Sequence, residues 1–305
     1  MSTFTRRQAL AAGAALPLAA AAGSPALAAA DMKGATVPTH NRIKLGGFEV
    51  TTLLAGTTKR DEIQSIFGMN VSPEEFAKVS EENFIPADAS QFFFTPTVVN
   101  TGSELVLFDT GLNPDGITSA LAAAGYSPDQ VDTVVLTHMH GDHIGGLMSG
   151  DDPTFANARY ITGAAEHNHW SNAANDRFNT NVAPLNEQFS FLDDGGSVAS
   201  GITAMAAFGH TPGHMTYRIE SEGQALMLIA DLANHPIWSL ERPDWEVRFD
   251  MDKAGAAASR RAVLGQIADE RIPMIGYHMP FPGVGFVETR GDGFRYIPHS
   301  YQLML

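Results

Sequence analysis

Residues 131–146, VDTVVLTHMHGDHIGG, end an apolar run in three histidines and an aspartate within six positions: His138, His140, Asp142 and His143. His138 and His140 alternate, so at the end of a strand their rings point the same way, and Asp142 and His143 follow on a turn that enters two glycines. Without a cation, that many imidazole and carboxylate groups in a confined space would be poorly satisfied, whereas a divalent metal takes them all as ligands. Four donors are too few for two metals, and other apolar segments offer more: GHTPGH carries His210 and His214, LMLIAD ends in Asp231, and PMIGYH ends in His278. Each stands where a strand gives way to a turn, from which a loop reaches a shared sheet edge. The chain has no cysteine, so any metal must be held by His, Asp or Glu, and neither a disulfide nor a thiol nucleophile is available.

The elements that must position these groups follow from periodicity and punctuation. IKLGGFEVTTLLAG reads as a hairpin around Gly46-Gly47, and SPEEFAKVSEEN as a helix opened by Ser72, Pro73 and Glu75. FFFTPTVVN and ELVLFDTG read as strands, GITSALAAAGY as a helix stopped by Gly125, and VDTVVLTH as the strand that delivers the cluster. ARYIT is a strand and GAAEHNHW a helix, after which a polar connection runs to about Gly196. Strand GITAMAAF, the hairpin MTYRIES/QALMLIA, a long loop with Trp238 and Trp245, helix DKAGAAASRRAVLGQIADE, strand RIPMIGYH and hairpin GFVETRGDGFRYIP complete the chain. Strands interleaved with helices in both halves predict an α/β (α+β) fold with two sheets face to face and helices outside.

At 305 residues and 44% hydrophobic the chain has ample material for a core, and a formal charge of −15 disfavours nucleic acid or an anionic membrane as partner. Arg6-Arg7, the run AALPLAAAAG and the small residues of SPALAAA read as a twin-arginine-type export signal over residues 1–30, its apolar core too short to span a membrane, with a Sec signal as the alternative. Its removal takes two arginines and no acid, so −15 becomes −17. The expected location is a bacterial periplasm. No composition break divides residues 31–305, which read as one domain with the metal-site core at about 90–280.

THMHGDH, GHTPGH, the strand-ending Asp231 and the late His278 resemble the metallo-β-lactamase-fold hydrolases. NTGSELVLFDTG, SPDQVDTVVLTHMHGDHIGGL, FGHTPGHMTY and MPFPGVGFVETRGDGFRYIP are in turn similar, in order and over about residues 42–300, to the methyl parathion hydrolase family and its exported relatives. The resemblance implies an αββα sandwich of two mixed sheets with a binuclear site between the sheet edges. It implies that His138, His140 and His214 hold one metal, that Asp142, His143 and His278 hold the other, and that Asp231 bridges them. It also implies that His210 is a non-ligand and Asp109 a buried acid orienting the site loops. Gly141 stands where that family has Pro, Ala230 where it has Gly, and ANHPIWSLERPDW after Asp231 replaces a different apolar stretch, so the pocket departs where the metal set does not.

The implied cofactors are two divalent ions, zinc first, with manganese, cobalt and iron accepted by the same ligands. Two such ions lower the pKa of a shared water toward about 7 and polarise a carbonyl or phosphoryl oxygen, with Asp142 holding the hydroxide or passing a proton to the leaving group. Among the aromatics Phe92, Phe93, Phe94, Trp170, Phe189, Phe191, Trp238, Trp245 and Phe281, Trp170 and Trp238 are the first candidates for a substrate wall, with Phe281 and His235 as further pocket residues. The reading is therefore a hydrolase of a small ester-type substrate, an aryl ester, lactone or organophosphate triester. The alternatives are a non-catalytic metal- or partner-binding protein that keeps the fold, or a β-lactamase or thioester hydrolase. A homodimer is compatible with the resemblance and has no signal of its own.

Overall fold

Leu105, Val106, Leu107 and Phe108 are all buried, and successive side chains alternate between two cores: Leu105 and Leu107 on one face, Val106 and Phe108 on the other. A strand packed on both sides reads as an unbroken apolar run. The computed structural model describes residues 31–301 and 303, so the export signal expected at residues 1–30 lies outside the described residues. Residues 31–36 have no regular structure, and the described residues from Val37 onward form a compact unit.

The first half of that unit supplies β1 (His40–Leu45), β2 (Phe48–Leu53), β3 (Gly56–Asp61), β4 (Ala89–Phe94), β5 (Thr97–Asn100), β6 (Leu105–Phe108), β7 (Thr133–Leu136), β8 (Met148–Ser149), β9 (Asp152–Pro153), β10 (Arg159–Gly163) and β11 (Phe189–Leu192). Seven of these form a mixed sheet in the order β1-β2-β5-β6-β7-β10-β11. The second half supplies β12 (Ser197–Ala199), β13 (Ile202–Ala206), β14 (Met215–Ser221), β15 (Gln224–Ala230), β16 (Met274–Gly276), β17 (Val284–Arg290) and β18 (Gly293–Pro298), which pair in chain order. The α-helices are α1 (Pro73–Glu82), α2 (Pro114–Ala123), α3 (Gly141–Ile144), α4 (Ala164–Asn172), α5 (Asp176–Asn181) and α6 (Lys253–Glu270), joined by short 3-10 and π-type turns. Among the described residues no helix is long and apolar enough to cross a membrane.

The inner faces of the sheets meet through Val50, Val106, Phe108 and Val135 on one side and Ala204, Tyr217, Leu226 and Leu228 on the other. Outside the first sheet, Leu107, Val134 and Leu136 pack with Ile117 and Leu121 of α2; outside the second, Met227 and Ile229 pack with Val263, Leu264 and Ile267 of α6. The αββα sandwich implied by the resemblance is the observed fold. Full burial of an aliphatic side chain such as Leu107 or Leu264 contributes about 1.5–3 kcal/mol.

Two expectations change in detail. FFFTPTVVN is not one strand: it breaks at Thr95-Pro96, because Pro96 has no N–H for the ladder and instead offers its carbonyl to the Leu53 N–H. The part before the break, β4, pairs with β3 as a separate ribbon that stands over the site. The polar connection before Gly196 is structured as well, with α5 capped by the Asn175 side chain on the Phe178 N–H, and β11 parallel to β10.

Candidate metal centre

The site forms where strands of both sheets run out at one edge. His138, His140, Asp142 and His143 follow β7 and enter α3; His210 lies between β13 and β14, Asp231 follows β15, and His278 follows β16. Tight backbone packing presents the first group: a Cβ on Gly145 or Gly146 would stand 2.2 Å from the carbonyl oxygens of Leu112 and Thr110, so only glycine lets the IGG segment lie against the loop after Asp109. Ala230, at φ 46, takes up a left-handed backbone at a cost of roughly 1–2 kcal/mol, and the turn it makes delivers Asp231 into the cluster.

Two groups of donors result. His138, His140, His210 and Asp231 bring one ligand atom each into one group, and Asp142, His143 and His278 into the other. His140 Nδ1 lies 3.1 Å from His138 Nε2 and 3.0 Å from His210 Nε2, and Asp231 Oδ2 is 3.4 Å from His210 Nε2. Asp231 also reaches the second group, with Oδ2 3.2 Å from His278 Nε2 and Oδ1 3.3 Å from His143 Nε2. Asp142 Oδ2 is 3.3 Å from His278 Nε2. Bonds of about 2.0–2.2 Å to a tetrahedral ion put neighbouring ligand atoms about 3.3 Å apart, which is the spacing seen.

Hydrogen bonding shows that these atoms present lone pairs. The Nδ1–H of His143 donates to Asp109 Oδ2, that of His210 to Asp250 Oδ1 and that of His278 to the Phe93 carbonyl. Thr137 Oγ1 donates to Asp109 Oδ2 and so accepts from His138 Nδ1. In the neutral rings Nε2 is then a lone pair facing inward, and one proton on His140 Nδ1 cannot serve both His138 and His210. His143 Nε2 and Asp231 Oδ1, 3.3 Å from one another, are buried and make no hydrogen bond. Converging lone pairs and orphaned buried atoms fit cations and little else.

Electrostatics divide the groups. Burial, and then the neighbouring imidazole of His210, push His140 down to about 3, and burial with His143 holds His138 well below its usual value. In the other group burial acts in the same sense but is outweighed: Asp231 and Asp142 push His278 up to about 10, and Asp231, Asp109 and Asp142 raise His143. The carboxyl of Asp142 falls correspondingly to about 2, burial opposing and His143 and His278 prevailing.

His214 and His210 exchange the places expected of them. His214 donates from Nδ1 to the Ala207 carbonyl and accepts at Nε2 from the Asp231 N–H, so both ring nitrogens are used on backbone and none faces the cluster. It directly precedes β14, its ring 5.3 Å from that of His138, while His210 sits four residues earlier with its ring 4.7 Å from that of His140. His210 is held by Asp250, whose other oxygen lies 2.6 Å from the fully buried Arg260 guanidinium. Asp109 accepts from the Thr137 N–H, the Thr137 hydroxyl and the His143 Nδ1–H.

Other supports carried no motif. The buried Glu166 accepts from Met139 N–H, Trp170 Nε1–H, Thr211 Oγ1–H and Gly213 N–H, tying α4 to both histidine-bearing loops. Tyr277 donates to the Asp142 carbonyl at 2.5 Å, and its ring lies 4.0 Å from that of His143.

A cavity of about 310 Å³ opens over the donors, lined by Thr58, Arg60, Phe92, Phe94, Leu112, His140, Gly141, Asp142, Arg177, Asp231, Phe249 and His278. Its aromatics come from the β3–β4 ribbon and the loop at Phe249 rather than from the tryptophans. Trp238 is fully buried, donating to Ser80 Oγ and stacked on Phe76. His235 caps the π-type turn Pro236–Glu241, accepting from the Ile237 and Trp238 N–H groups, and stacks on Trp238. Trp170 stands behind His140, 5.9 Å away edge-on, and Phe281 is half-buried; neither lines the cavity. Arg60, Arg177, Leu112 and Phe249 had no signal in the sequence beyond residue type. A larger groove of about 510 Å³ near Glu75, Lys78, Asp244 and Arg261 contains none of the donors.

The metallo-beta-lactamase superfamily model matches residues 95–273. An N-acyl homoserine lactonase of Bacillus cereus is 25% identical over 146 residues, 48% of this chain and 56% of that protein. The N-acyl homoserine lactonase AiiA of Bacillus thuringiensis subsp. kurstaki is 24% identical over 161 residues, 53% of this chain and 60% of that protein. The match thus spans little more than half the length of these curated relatives. Among solved structures, AidC, a dizinc quorum-quenching lactonase in complex with a product, superposes with a TM-score of 0.80 at 28% identity over 86% of this chain and 98% of its own. The hydrolase AbOPH superposes with a TM-score of 0.80 at 23% identity over 88% and 100%.

Proposed function

The chain belongs to the metallo-β-lactamase superfamily, and from that premise we propose that it is a metal-dependent hydrolase of carboxylic esters or lactones. The observation that carries this reading is the set of seven converging donors, with His143 Nε2 and Asp231 Oδ1 orphaned, beneath an open, partly apolar cavity. His138, His140 and His210 would hold one divalent ion, Asp142, His143 and His278 the other, with Asp231 between them. When bound, such ions, zinc first among them, would supply an activated water and an electrophile for the substrate's oxygen, and neither Ser nor Cys lines the cavity to act as nucleophile instead. The similarity to lactonases supports an ester-type bond.

The chain's own groups do the rest. Asp142 borders the cavity and is the most exposed of the donor carboxylates, placed to accept a proton and return it to the leaving oxygen. Phe92, Phe94, Leu112 and Phe249 supply a dry wall for an acyl chain or aryl ring. Asp109 and Asp250 keep Nδ1 of His143 and His210 protonated and their Nε2 lone pairs aimed inward.

Purified protein with measured metal content should hydrolyse an aryl lactone and an aryl ester, lose turnover to a chelator and regain it with zinc, and act more slowly on a dialkyl aryl phosphotriester. Turnover indifferent to chelation would sink the proposal; phosphotriester preference would move it to that class. The proposal extends to export, supported by Arg6-Arg7 and the following apolar run. Retention of an Arg6→Lys, Arg7→Lys chain in the cytoplasm while the parent reaches the periplasm tests that part.

A further inference from the structure

Two exposed guanidinium groups, those of Arg177 and Arg60, line the cavity over the donor cluster. Arg177, on α5, crosses the face of Gly141, between the donors His140 and Asp142: a Cβ placed on Gly141 would stand 2.6 Å from its Cδ, 2.9 Å from Nε and 3.3 Å from Cζ. Bare glycine at 141 is therefore what lets the arginine lie there. Arg60 comes from the other wall. In the β3–β4 register Thr58 faces Phe92 and Gly56 faces Phe94, so Thr58 and Arg60 share the ribbon face that carries both phenylalanines into the cavity.

Among the described residues neither guanidinium makes a hydrogen bond or an ion pair; Arg248, Arg271 and Arg290 share that state, but none of them lines this cavity, whereas Arg159, Arg218, Arg260 and Arg261 are each matched to a carboxylate. The carboxylates in the cavity are committed elsewhere, Asp142 and Asp231 to His278 at 3.3 and 3.2 Å. The remaining wall is largely apolar: Phe92, Phe94, Leu112 and Phe249. A chain of net charge −15 repels anions in general, so two unmatched arginines facing one cavity offset that repulsion where a substrate must enter. Their planar forks match a carboxylate in a way that a neutral acyl chain does not exploit.

We propose that Arg177 and Arg60 bind a carboxylate carried by the substrate, so that the site selects an anionic ester or lactone whose acid group lies across the cavity from the scissile bond. The inference rests on the hydrolase reading for the identity of that bond, and on the two arginines alone for the anion.

Calorimetry on the metal-loaded protein with two non-hydrolysable amides, glutaric acid monoanilide and its methyl ester, separates these. The anionic amide should bind on the order of tenfold more tightly, the worth of one charge-assisted contact. Arg177→Met and Arg60→Met should each reduce that preference and together abolish it, leaving the neutral amide's affinity unchanged. Gly141→Ala, whose Cβ displaces the Arg177 stem, should reduce it too. Equal binding of the two amides, binding of neither, or a preference that survives the double substitution, as direct carboxylate-to-metal binding would give, overturns the proposal. The matching 4-nitrophenyl esters are assayed in parallel. Selective amide binding with neither ester hydrolysed would uphold the arginine subsite and sink the hydrolase reading instead.

Discussion

At the scale of single residues, the exchange of His210 and His214 is decided by what each ring's two nitrogens touch. His214 satisfies the Ala207 carbonyl and the Asp231 N–H, and His210 turns a lone pair toward His140 while Asp250 holds its other side. His210→Ala should therefore lower bound metal and cut kcat/KM by roughly 100-fold or more, since even loss of a ligand's supporting partner costs about 10–100-fold. His214→Ala should keep its metal and lose about 1–3 kcal/mol of stability through unpaired backbone groups. Metal analysis and denaturation of both variants distinguish the two assignments, and metal lost only from the His214 variant would reverse them. Arg260→Met leaves the Asp250 carboxylate buried without its guanidinium, an uncompensated charge that should cost about 3–5 kcal/mol in a urea titration.

At the scale of elements, the short α3 is pressed against the loop after Asp109, where the Thr110 N–H and hydroxyl both bind the His143 carbonyl. Gly146→Ala would force a methyl into the Thr110 carbonyl, and about 1–3 kcal/mol of strain with weakened metal retention is expected. An unchanged melting temperature and metal content would show that the loop yields freely. The turn Pro236–Glu241 hangs on His235, which burial holds down to about 3. Because the folded pKa lies below the unfolded one near 6.5, the capped turn contributes stability that is complete above about pH 6.5 and drains away as pH falls from there. His235→Asn keeps an acceptor for the two N–H groups and removes the titration, so its denaturation midpoint should fall less between pH 7.5 and 5 than that of the parent. A parallel fall in both proteins would place the acid sensitivity in other histidines.

At the scale of the whole molecule, the donors come from both sheets: four follow β7 of the first, while His210, Asp231 and His278 belong to connections of the second. Ions held there would pin the open edges of the sandwich together. Binding to the folded state alone adds about 4 kcal/mol when free metal is 1,000 times its Kd, worth roughly ten degrees in a unit of this size. Chelation should lower the melting temperature by that order and zinc should restore it. A melting temperature indifferent to chelator would mean that the edge is held without metal.

Much of this was legible from local pattern, because alternation along a strand and the chemistry of a cap depend on near neighbours. The unbroken apolar runs LVLF and TVVL, the Ser72 cap, the Gly46-Gly47 hairpin and the HxHxDH cluster each declare themselves within a few residues, as do Asp231 and His278 at strand ends, whereas the role of Asp109 followed from the family resemblance. Tertiary structure alone decided which histidine of GHTPGH faces the cluster, since that depends on the Ala207 carbonyl and Asp250, partners 7 and 40 residues away. It also decided the cavity wall. Trp170 and Trp238 were drawn inward by Glu166 and Ser80, their N–H groups needing partners once buried, and Phe92, Phe94, Arg60 and Arg177 reached the opening because a ribbon broken at Pro96 and a short capped helix happened to stand over it. Metal ligands are written as residue types at strand ends, whereas a pocket is the space left between elements distant in the chain, and no local pattern encodes that space.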